Sequence, residues 1–268
     1  MPENLEVSEK LPIFAAEIPL VRKLLGSVVK EQLKNLPRSD EICRSSSLRK
    51  EALFKFNNME TKKQVIVYVD GYNFYYGLKN GGPKWKRLYW LDIVKFFERM
   101  MLEDQELLEV NYYSAVPLDD QQAADNQDVL FSANLLNPKF KLHLGRYKKK
   151  KFKCQNCGFK NKSYEEKESD VRVATGMLTD MFTKRCDITI IVSADSDMIP
   201  SVEIIKGFAP EHPVHIFVPP SQNSYALASK CDHVVWLGRY RARFVQSMLP
   251  DDVRLANGHI LHRPENWK

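Results

Sequence analysis

Acidic residues that follow apolar runs are the clearest candidates for chemistry in this chain. Residues 188–200 read ITIIVSADSDMIP, so an apolar run leads directly into Asp195 and Asp197. A second apolar run, VIVYVD, ends in Asp70. In an open α/β sheet, ligands bind outside the carboxyl ends of the strands, where these carboxylates would lie. Two strands that end in acids therefore predict a divalent-metal site and hence phosphate chemistry.

Asp70 is followed by residues that suit the same site. Gly71 permits a sharp turn after the strand, and Asn73 can return its side-chain amide toward the same space. A carboxylate beside an amide suits Mg²⁺, a water or a phosphate oxygen. The alternative is that Asp70 caps the helix that follows.

A third acid, Asp170, precedes an apolar pattern of helical spacing and so marks the start of a helix. It could be only a first-turn acid that the helix dipole favours. Ser196 or Asp197 could likewise cap the helix that begins near Pro200. Acids at the ends of two strands and the start of one helix would nevertheless repel one another unless a cation such as Mg²⁺ or Mn²⁺ were bound.

Strand-like and helix-like segments alternate from Gln64 onward. This alternation predicts an α/β fold with a mostly parallel sheet and helices on both faces. Residues 1–62 carry an apolar helical stripe and are interpreted as a helical N-terminal extension, and residues 239–268 as a C-terminal tail that packs on the domain. The predicted strands are 65–69, 108–116, 140–147, 188–192, 214–218 and 233–237, and the predicted helices are 91–103, 120–136, 169–183, 197–207 and 223–230.

Composition argues against a membrane protein. The 268 residues are 44% hydrophobic with a mean hydropathy of −0.40, and no apolar run approaches the ~20 residues that a bilayer span needs. The N-terminus lacks the pattern of a secretory signal. An odd count of five cysteines fits a reducing, cytoplasmic setting better than a disulfide framework. The net charge of +6 favours an anionic partner.

Residues 146–163 form a basic insertion. Between Arg146 and Lys162 lie eight lysines or arginines and no acid, and Lys149 and Lys151 are among them. Such a block creates a local positive field that suits a phosphate backbone. The alternative is a solvated, mobile loop without a ligand.

The same insertion contains Cys154 and Cys157 in a CxxCG sequence, which is the turn of a zinc knuckle. A tetrahedral Zn²⁺ site needs two further ligands. His143, Cys186 and Cys231 are candidates, as is a second CxxC from a partner copy in a homo-oligomer. The alternative is a reduced, metal-free hairpin.

Three segments resemble, in order, the signature segments of the NYN domain family, the LabA-like members of the PIN-like nuclease superfamily. They are VIVYVDGYNFYYGL, EEKESDVRVATGML and IIVSADSDMIPSVEII, and the resemblance spans Gln64 to Leu237. The tail sequence LPDDVRLANGHILHRPENW resembles the ending of one NYN subgroup. Membership would imply a PIN-like, Rossmann-like α/β fold over residues 63–238 and metal-dependent cleavage of RNA.

The resemblance also implies roles for individual residues. Asp70, Asp170, Asp195 and Asp197 would line the metal site with Asn73 beside them, and the first three would be the ligands of Mg²⁺ or Mn²⁺. Hydrolysis would then proceed by in-line displacement at the RNA phosphodiester. The supporting or phosphate-binding groups would be Ser193, Ser196, Lys167, Lys149 and Lys151.

One departure from the family pattern bears on catalysis. Many relatives carry a further acid about two helical turns after the Asp170 position, where this chain has Gly176, and Asp180 lies one turn later. The leading interpretation is a metal-dependent endoribonuclease that acts inside single-stranded or structured RNA. The alternative is a catalytically weak or inactive NYN-fold module for RNA binding or assembly. A small-substrate phosphatase fits less well, because Asp70 lacks the second aspartate two residues on that a phosphoaspartyl mechanism needs.

Aromatic and basic residues together favour single-stranded RNA, whose bases stack and whose phosphates pair with cations. Seven rings lie near a Gly81-Gly82-Pro83 loop that is followed by further basic residues. We expect most of these rings to lie in the core and two or three at most to face a ligand. The rings are Tyr72, Phe74, Tyr75, Tyr76, Trp85, Tyr89 and Trp90, and the basic residues are Lys84, Lys86 and Arg87.

Overall fold

The computed structural model describes residues 62–118, 120–153 and 160–268, with the side chains of strand residues 146–153 and 160–167 left aside. The predicted N-terminal extension, apart from its last residue, lies outside the described residues. Cys154 and Cys157 also lie outside them. No helix in the described ranges is both long and apolar enough to cross a membrane.

A six-stranded parallel sheet forms the centre of the described structure, in the order β3-β2-β1-β6-β7-β8. The predicted α/β fold with a mostly parallel sheet is therefore confirmed. The strand order reverses between β1 and β6, and the crevice beyond the carboxyl ends of two such strands is where ligands bind. The strands are β1 Lys63–Asp70, β2 Gln105–Ser114, β3 Phe140–Leu144, β4 Arg146–Lys153, β5 Lys160–Lys167, β6 Ile188–Val192, β7 Val214–Val218, β8 His233–Trp236, β9 Asp252–Arg254 and β10 Ile260–His262.

Helices cover both faces of the sheet because alternate residues of the central strands point to opposite sides. Val65 and Val67 of β1 pack into a core with α1, α2, α3, α4 and α8, whereas Ile66 and Tyr68 pack into a second core with α5, α6 and α7. The helices are α1 Gly71–Asn80, α2 Pro83–Lys86, α3 Ile93–Glu98, α4 Gln121–Asn134, α5 Ser169–Phe182, α6 Ile199–Phe208, α7 Tyr225–Ala228 and α8 Arg241–Gln246.

The boundaries of the predicted elements hold best where the strands are buried. The strands expected over 188–192 and 214–218 are found at those residues. The single strand expected over 140–147 is wrong, since the chain bends at Gly145, whose N–H donates to the Ser114 carbonyl at 2.7 Å, and then enters a separate strand. Helix α1 was not among the predicted helices.

The basic insertion pairs with itself as an antiparallel hairpin of β4 and β5. Residues 146–153 and 160–167 therefore form paired strands, and the alternative that the insertion binds no ligand stays open. Lys149 lies opposite Tyr164 and Lys151 lies opposite Lys162. Strand β5 runs into α5, which carries Asp170 in its first turn.

Helix α5 packs closely over β1 and β2 at Gly176. A Cβ at this position would lie 2.5 Å from the Tyr113 hydroxyl, so the tyrosine fills the space that a side chain would need. Asp180, one turn later, is paired with residues other than the acidic cluster. It accepts a hydrogen bond from the Tyr68 hydroxyl at 2.5 Å and forms an ion pair with Arg185 at 2.7 Å. Asp180 therefore does not replace the acid that is missing at Gly176.

We predict that Gly176 and the Tyr113 hydroxyl are energetically coupled. Alanine is normally favoured over glycine inside a helix by about 1 kcal/mol. In the wild-type chain, the clash with Tyr113 should make Gly176→Ala destabilising by roughly 1 kcal/mol. In a Tyr113→Phe background, Gly176→Ala should instead stabilise the fold, as measured by urea denaturation of the four proteins.

A second glycine serves as the control for this cycle. Gly207 lies in α6 with open space where a Cβ would stand. Gly207→Ala should change the free energy of unfolding by the same amount with and without the Tyr113 hydroxyl. Equal effects of Gly176→Ala in both backgrounds would contradict the proposed steric conflict.

Candidate functional site

The pairing of β1 with β6 brings the two acid-tipped strand ends together. Val69 is the partner of Val192, so Asp70 and Ser193 follow at the same level beyond the edge of the sheet. Asp195 lies two residues further along. The point where the strand order reverses therefore has Asp70 on one side and the Ser193–Asp197 segment on the other.

The carboxylate of Asp70 is only 6% exposed and is held by three hydrogen bonds. The Asn73 backbone N–H donates to Oδ1 at 3.0 Å, and the Asn73 side-chain amide donates to Oδ2 at 2.9 Å. The Ser193 hydroxyl also donates to Oδ2, at 2.9 Å, and accepts from the Asp195 N–H at 3.0 Å. Ser193 thus links Asp70 to the loop that carries Asp195.

Gly71 is required here by space. A Cβ on Gly71 would lie 2.5 Å from the ring of Tyr112 and 2.5 Å from the Tyr113 carbonyl oxygen. Its backbone is helical and does not use the left-handed region. The expectation that Gly71 serves a sharp turn is therefore replaced by close packing of α1 against β2, which places Asn73 next to Asp70.

Asp170 reaches the same region from the first turn of α5. The residue before the helix, Glu168, has φ of 82°, a left-handed conformation that non-glycine residues seldom adopt. This backbone turns β5 into α5. Burial raises the pKa of Asp170, and the charges on Asp70, Asp195 and Asp197 raise it further. The negative charges therefore act on one another at this end of the sheet.

The pKa of Asp70 is raised mainly by burial, and the charge of Asp195 adds to this effect. The hydrogen bonds from Asn73 and Ser193 act in the opposite direction, because they favour the ionised form. The site therefore holds a desolvated carboxylate that the protein stabilises only in part. A bound cation would remove the remaining cost.

Three of these acids also have the local roles in helices that were considered as alternatives to a metal site. Asp70 caps α1 through Asn73, and Asp170 is a first-turn acid of α5. Asp195 caps the 3-10 helix Ser196–Met198 by accepting from the Asp197 N–H at 3.0 Å. The alternative that Ser196 or Asp197 caps the helix near Pro200 is not found, since α6 begins at Ile199 without a side-chain cap. Capping and clustering coexist in the same carboxylates.

A cleft of about 1140 Å³ opens beside the acids. Asp70, Asn73, Asp170 and Asp195 line it, which brings four of the predicted site residues together. Ser193 is fully buried and, like Ser196 and Asp197, is not part of the lining. The hydrogen bond to Asp70 fits the supporting role expected for Ser193, and its contact with a phosphate stays a prediction. For Lys149, Lys151 and Lys167 the structure describes the backbone alone.

The donor set suits a hard divalent cation, because carboxylate oxygens are the ligands that Mg²⁺ and Mn²⁺ prefer. The mutual repulsion of the acids points the same way. Among the described residues, however, no group of three His, Cys, Asp or Glu side chains could hold a metal ion as it stands.

The additional zinc ligands considered for Cys154 and Cys157 have other contacts. His143 Nε2 lies 2.8 Å from Asn111 Oδ1, and the His143 ring stacks on Tyr113 with centroids 4.5 Å apart. Cys186 is a buried free thiol 3.8 Å from the Thr189 hydroxyl. Zinc binding by the CxxC remains a prediction.

The aromatic residues divide between the core and the cleft. Phe74, Trp85 and Trp90 are buried in the core, as the sequence predicts for most of the rings. Four of the seven rings line the cleft, and one of them, Tyr89, also belongs to the core. That two or three rings at most face a ligand stays a prediction. Sequence reasoning also missed residues of α4 and of the C-terminal 3-10 helix Glu265–Trp267. The four rings are Tyr72, Tyr75, Tyr76 and Tyr89, and the missed residues include Gln122, Asn126, Gln127, Asn266 and Trp267.

Known proteins are similar to this chain over part of its length. It is 28% identical over 176 residues to the 6-hydroxy-3-succinoylpyridine 3-monooxygenase HspA of Pseudomonas putida (strain DSM 28022 / S16), which covers 53% of this chain and 55% of that protein. The chain thus spans about half the length of this curated relative. A solved structure of a protein of unknown function from Vibrio parahaemolyticus RIMD 2210633 covers 66% of this chain and 94% of its own, with 19% identity and a TM-score of 0.46.

A family match covers more than half of the chain. The model of the NYN domain matches residues 64–238. This span includes Asp70, Asn73, Asp170 and Asp195 and ends before the C-terminal segment that contributes to the cleft. The chain therefore belongs to the NYN domain family.

Proposed function

We propose that this protein is a metal-dependent endoribonuclease that hydrolyses RNA phosphodiester bonds at its carboxylate cluster. NYN domains are generally nucleases, and this family membership gives the reaction class. The observation that carries the proposal is the convergence of Asp70, Asp170 and Asp195 on one cleft at the point where the strand order reverses. Such a cluster would repel the negatively charged phosphate of RNA unless a cation were bound between them.

Three carboxylates have the proposed role of metal ligands. Asp70, Asp170 and Asp195 would hold Mg²⁺ or Mn²⁺, and Asp197 would add negative charge from just outside the cleft. A divalent ion bound there would lower the pKa of a bound water and polarise the phosphodiester. Asn73 and Ser193 are positioning residues, because their hydrogen bonds fix the orientation of the Asp70 carboxylate.

A second candidate function is RNA binding without efficient cleavage. One observation favours it: the acid missing at Gly176 is not replaced by Asp180, which is paired with Tyr68 and Arg185. In this reading the fold and the cleft remain, but the cation is held weakly. Cleavage assays separate the two candidates.

Replacement of either central ligand should abolish cleavage. Asp70→Asn and Asp195→Asn should each lower the rate of cleavage of a labelled single-stranded RNA by roughly 100-fold or more. The rate is measured by gel electrophoresis in Mg²⁺ or Mn²⁺, with EDTA as the metal-free reference and DNA of the same sequence in parallel.

Asp104→Asn is the matched control for these substitutions. Asp104 pairs with Lys63 at the amino end of β1, at the opposite edge of the sheet. This variant should cleave RNA at the wild-type rate. If the RNA stays intact with both metals, or if the ligand variants cleave normally, the ribonuclease proposal fails.

Repulsion among the acids should make Asp170 unfavourable for stability in the absence of a cation. In EDTA at neutral pH, Asp170→Asn should raise the Tm by about 1–2 °C, since the asparagine carries no charge. The pKa of Asp170 is raised in the folded state, so the wild-type carboxyl takes up a proton as the pH falls through that range. The difference between variant and wild type should therefore be present at neutral pH and disappear in acid.

Addition of metal tests whether the same cluster binds a cation. Mg²⁺ or Mn²⁺ should raise the Tm of the wild-type protein more than that of Asp170→Asn, because only the wild type has the full set of acids. Differential scanning fluorimetry measures both. A wild-type Tm that neither metal changes would contradict a cation site at this cluster.

The hairpin lysines are proposed to contact RNA phosphates next to the cleft. Replacing Lys149 and Lys151 together by Gln should weaken RNA binding and make the slope of log K against log salt less negative by up to roughly 1.4. Fluorescence anisotropy at several salt concentrations measures both quantities. The control pair, Lys63→Gln with Lys184→Gln, lies at the amino edge of the sheet and should leave the slope unchanged.

A further inference from the structure

Five aromatic rings form a continuous band along the cleft. Their centroids follow one another at 4.4 Å from Tyr72 to Tyr76, 5.3 Å from Tyr76 to Tyr75, 5.4 Å from Tyr75 to Tyr89 and 5.7 Å from Tyr89 to Trp267. All five residues line the cleft. Tyr72, at one end of the band, lines the same cleft as the metal-ligand candidates Asp70, Asp170 and Asp195.

The band has an exposed end and a buried end, since Tyr89 and Trp267 are only 9% and 7% exposed. Tyr72 is 50% exposed and Tyr75 is 37% exposed, which is high for large aromatic side chains of a folded domain. Lys79 Nζ lies 5.2 Å from the centre of the Tyr76 ring and 5.7 Å from that of Tyr75. Its charge therefore stands over the band, where it can meet an anionic group of the same ligand.

Side-chain amides form another part of the cleft lining. The Gln122 amide donates to Asn126 Oδ1 at 3.0 Å, and the Asn126 amide donates to Asn266 Oδ1 at 3.2 Å. Gln127 donates to the Ser114 hydroxyl at 3.1 Å. This set of amides, of which Asn126 is buried, carries donors and acceptors of the kind that read the edges of nucleobases.

The C-terminal segment completes this surface. Asn266 and Trp267 lie beyond residues 64–238, which match the family. Arg263 holds them in place, because its guanidinium donates to the Trp267 carbonyl at 2.5 Å and to the Arg87 carbonyl at 3.0 Å. The ring band and the amide set both end on this segment.

We propose that Tyr72, Tyr75 and Tyr76, at the exposed end of the band, form a base-stacking track that binds the unpaired bases of single-stranded RNA as the strand approaches the carboxylate cluster. This inference rests on the proposed function and specifies its substrate. Stacking needs splayed, unpaired bases, because bases within a duplex already stack on one another. The cleft, at about 1140 Å³, has room for a ligand of nucleotide size or larger.

The test compares RNA with a strand that has no bases. The probe is a fluorescein-labelled 12-nucleotide RNA of mixed sequence, and the reference is an abasic strand of the same length and charge, both in EDTA. The wild-type protein should bind the RNA at least about tenfold more tightly than the abasic strand. Tyr72→Leu and Tyr76→Leu should each weaken RNA binding by roughly tenfold while changing abasic binding little.

Tyr225→Leu is the matched control. Tyr225 is 73% exposed, contacts the Trp236 ring and does not line the cleft, so its loss should leave RNA affinity unchanged. Unfolding midpoints confirm that each variant is folded. A duplex of the same 12 nucleotides should bind more weakly than the single strand.

Several outcomes would overturn the track. They are equal binding of the abasic strand, unchanged RNA affinity in both tyrosine variants, no RNA binding by the wild type, or displacement of the 12-mer by equimolar AMP, which would indicate a small aromatic ligand. Cleavage in Mg²⁺ or Mn²⁺ is scored separately. Cleavage without base-dependent binding overturns the track and retains the nuclease, whereas base-dependent binding without cleavage does the reverse.

Discussion

A buried negative charge at the end of β1 is the constraint on which the site depends. Burying a carboxylate is costly unless hydrogen bonds compensate for the lost water. Asp70 obtains its hydrogen bonds from Asn73 on α1 and from Ser193 after β6. The start of α1 and the pairing of β1 with β6 must therefore both be correct before this charge is tolerated.

The same requirement fixes the wall of the cleft. Gly71 allows α1 to approach β2 so closely that the Tyr112 ring would touch any larger side chain. Once α1 is held there, positions three and four residues apart lie on one side of the helix. Tyr72, Tyr75 and Tyr76 are spaced in this way, and all three line the cleft. The acidic cluster and the aromatic surface are thus positioned by one helix.

How much the sequence predicts depends on how local the signal is. Strand β6 and the acids that follow it could be predicted because a continuous apolar run that ends in carboxylates is a local pattern. The position of Trp267 in the cleft could not be predicted from such a pattern, because its contact with Tyr89 joins residues from distant parts of the chain. The hydrogen bond between Asp180 and Tyr68 could not be predicted either, since the sequence shows Tyr68 only as part of an apolar strand. Helix α1 lacks a clear signal because its aromatic residues face both the core and the cleft.

The hydrogen bonds that stabilise the acids also limit how a cation can reach them. Oδ2 of Asp70 already accepts two hydrogen bonds, whereas Oδ1 accepts one and keeps a free lone pair. Oδ1 of Asp195 accepts the capping hydrogen bond, whereas Oδ2 accepts none from the described residues. Asp170 accepts none from them either. The oxygens left for a cation thus come from one strand end, one loop and one helix start, so that metal affinity depends on the same packing that positions these three elements.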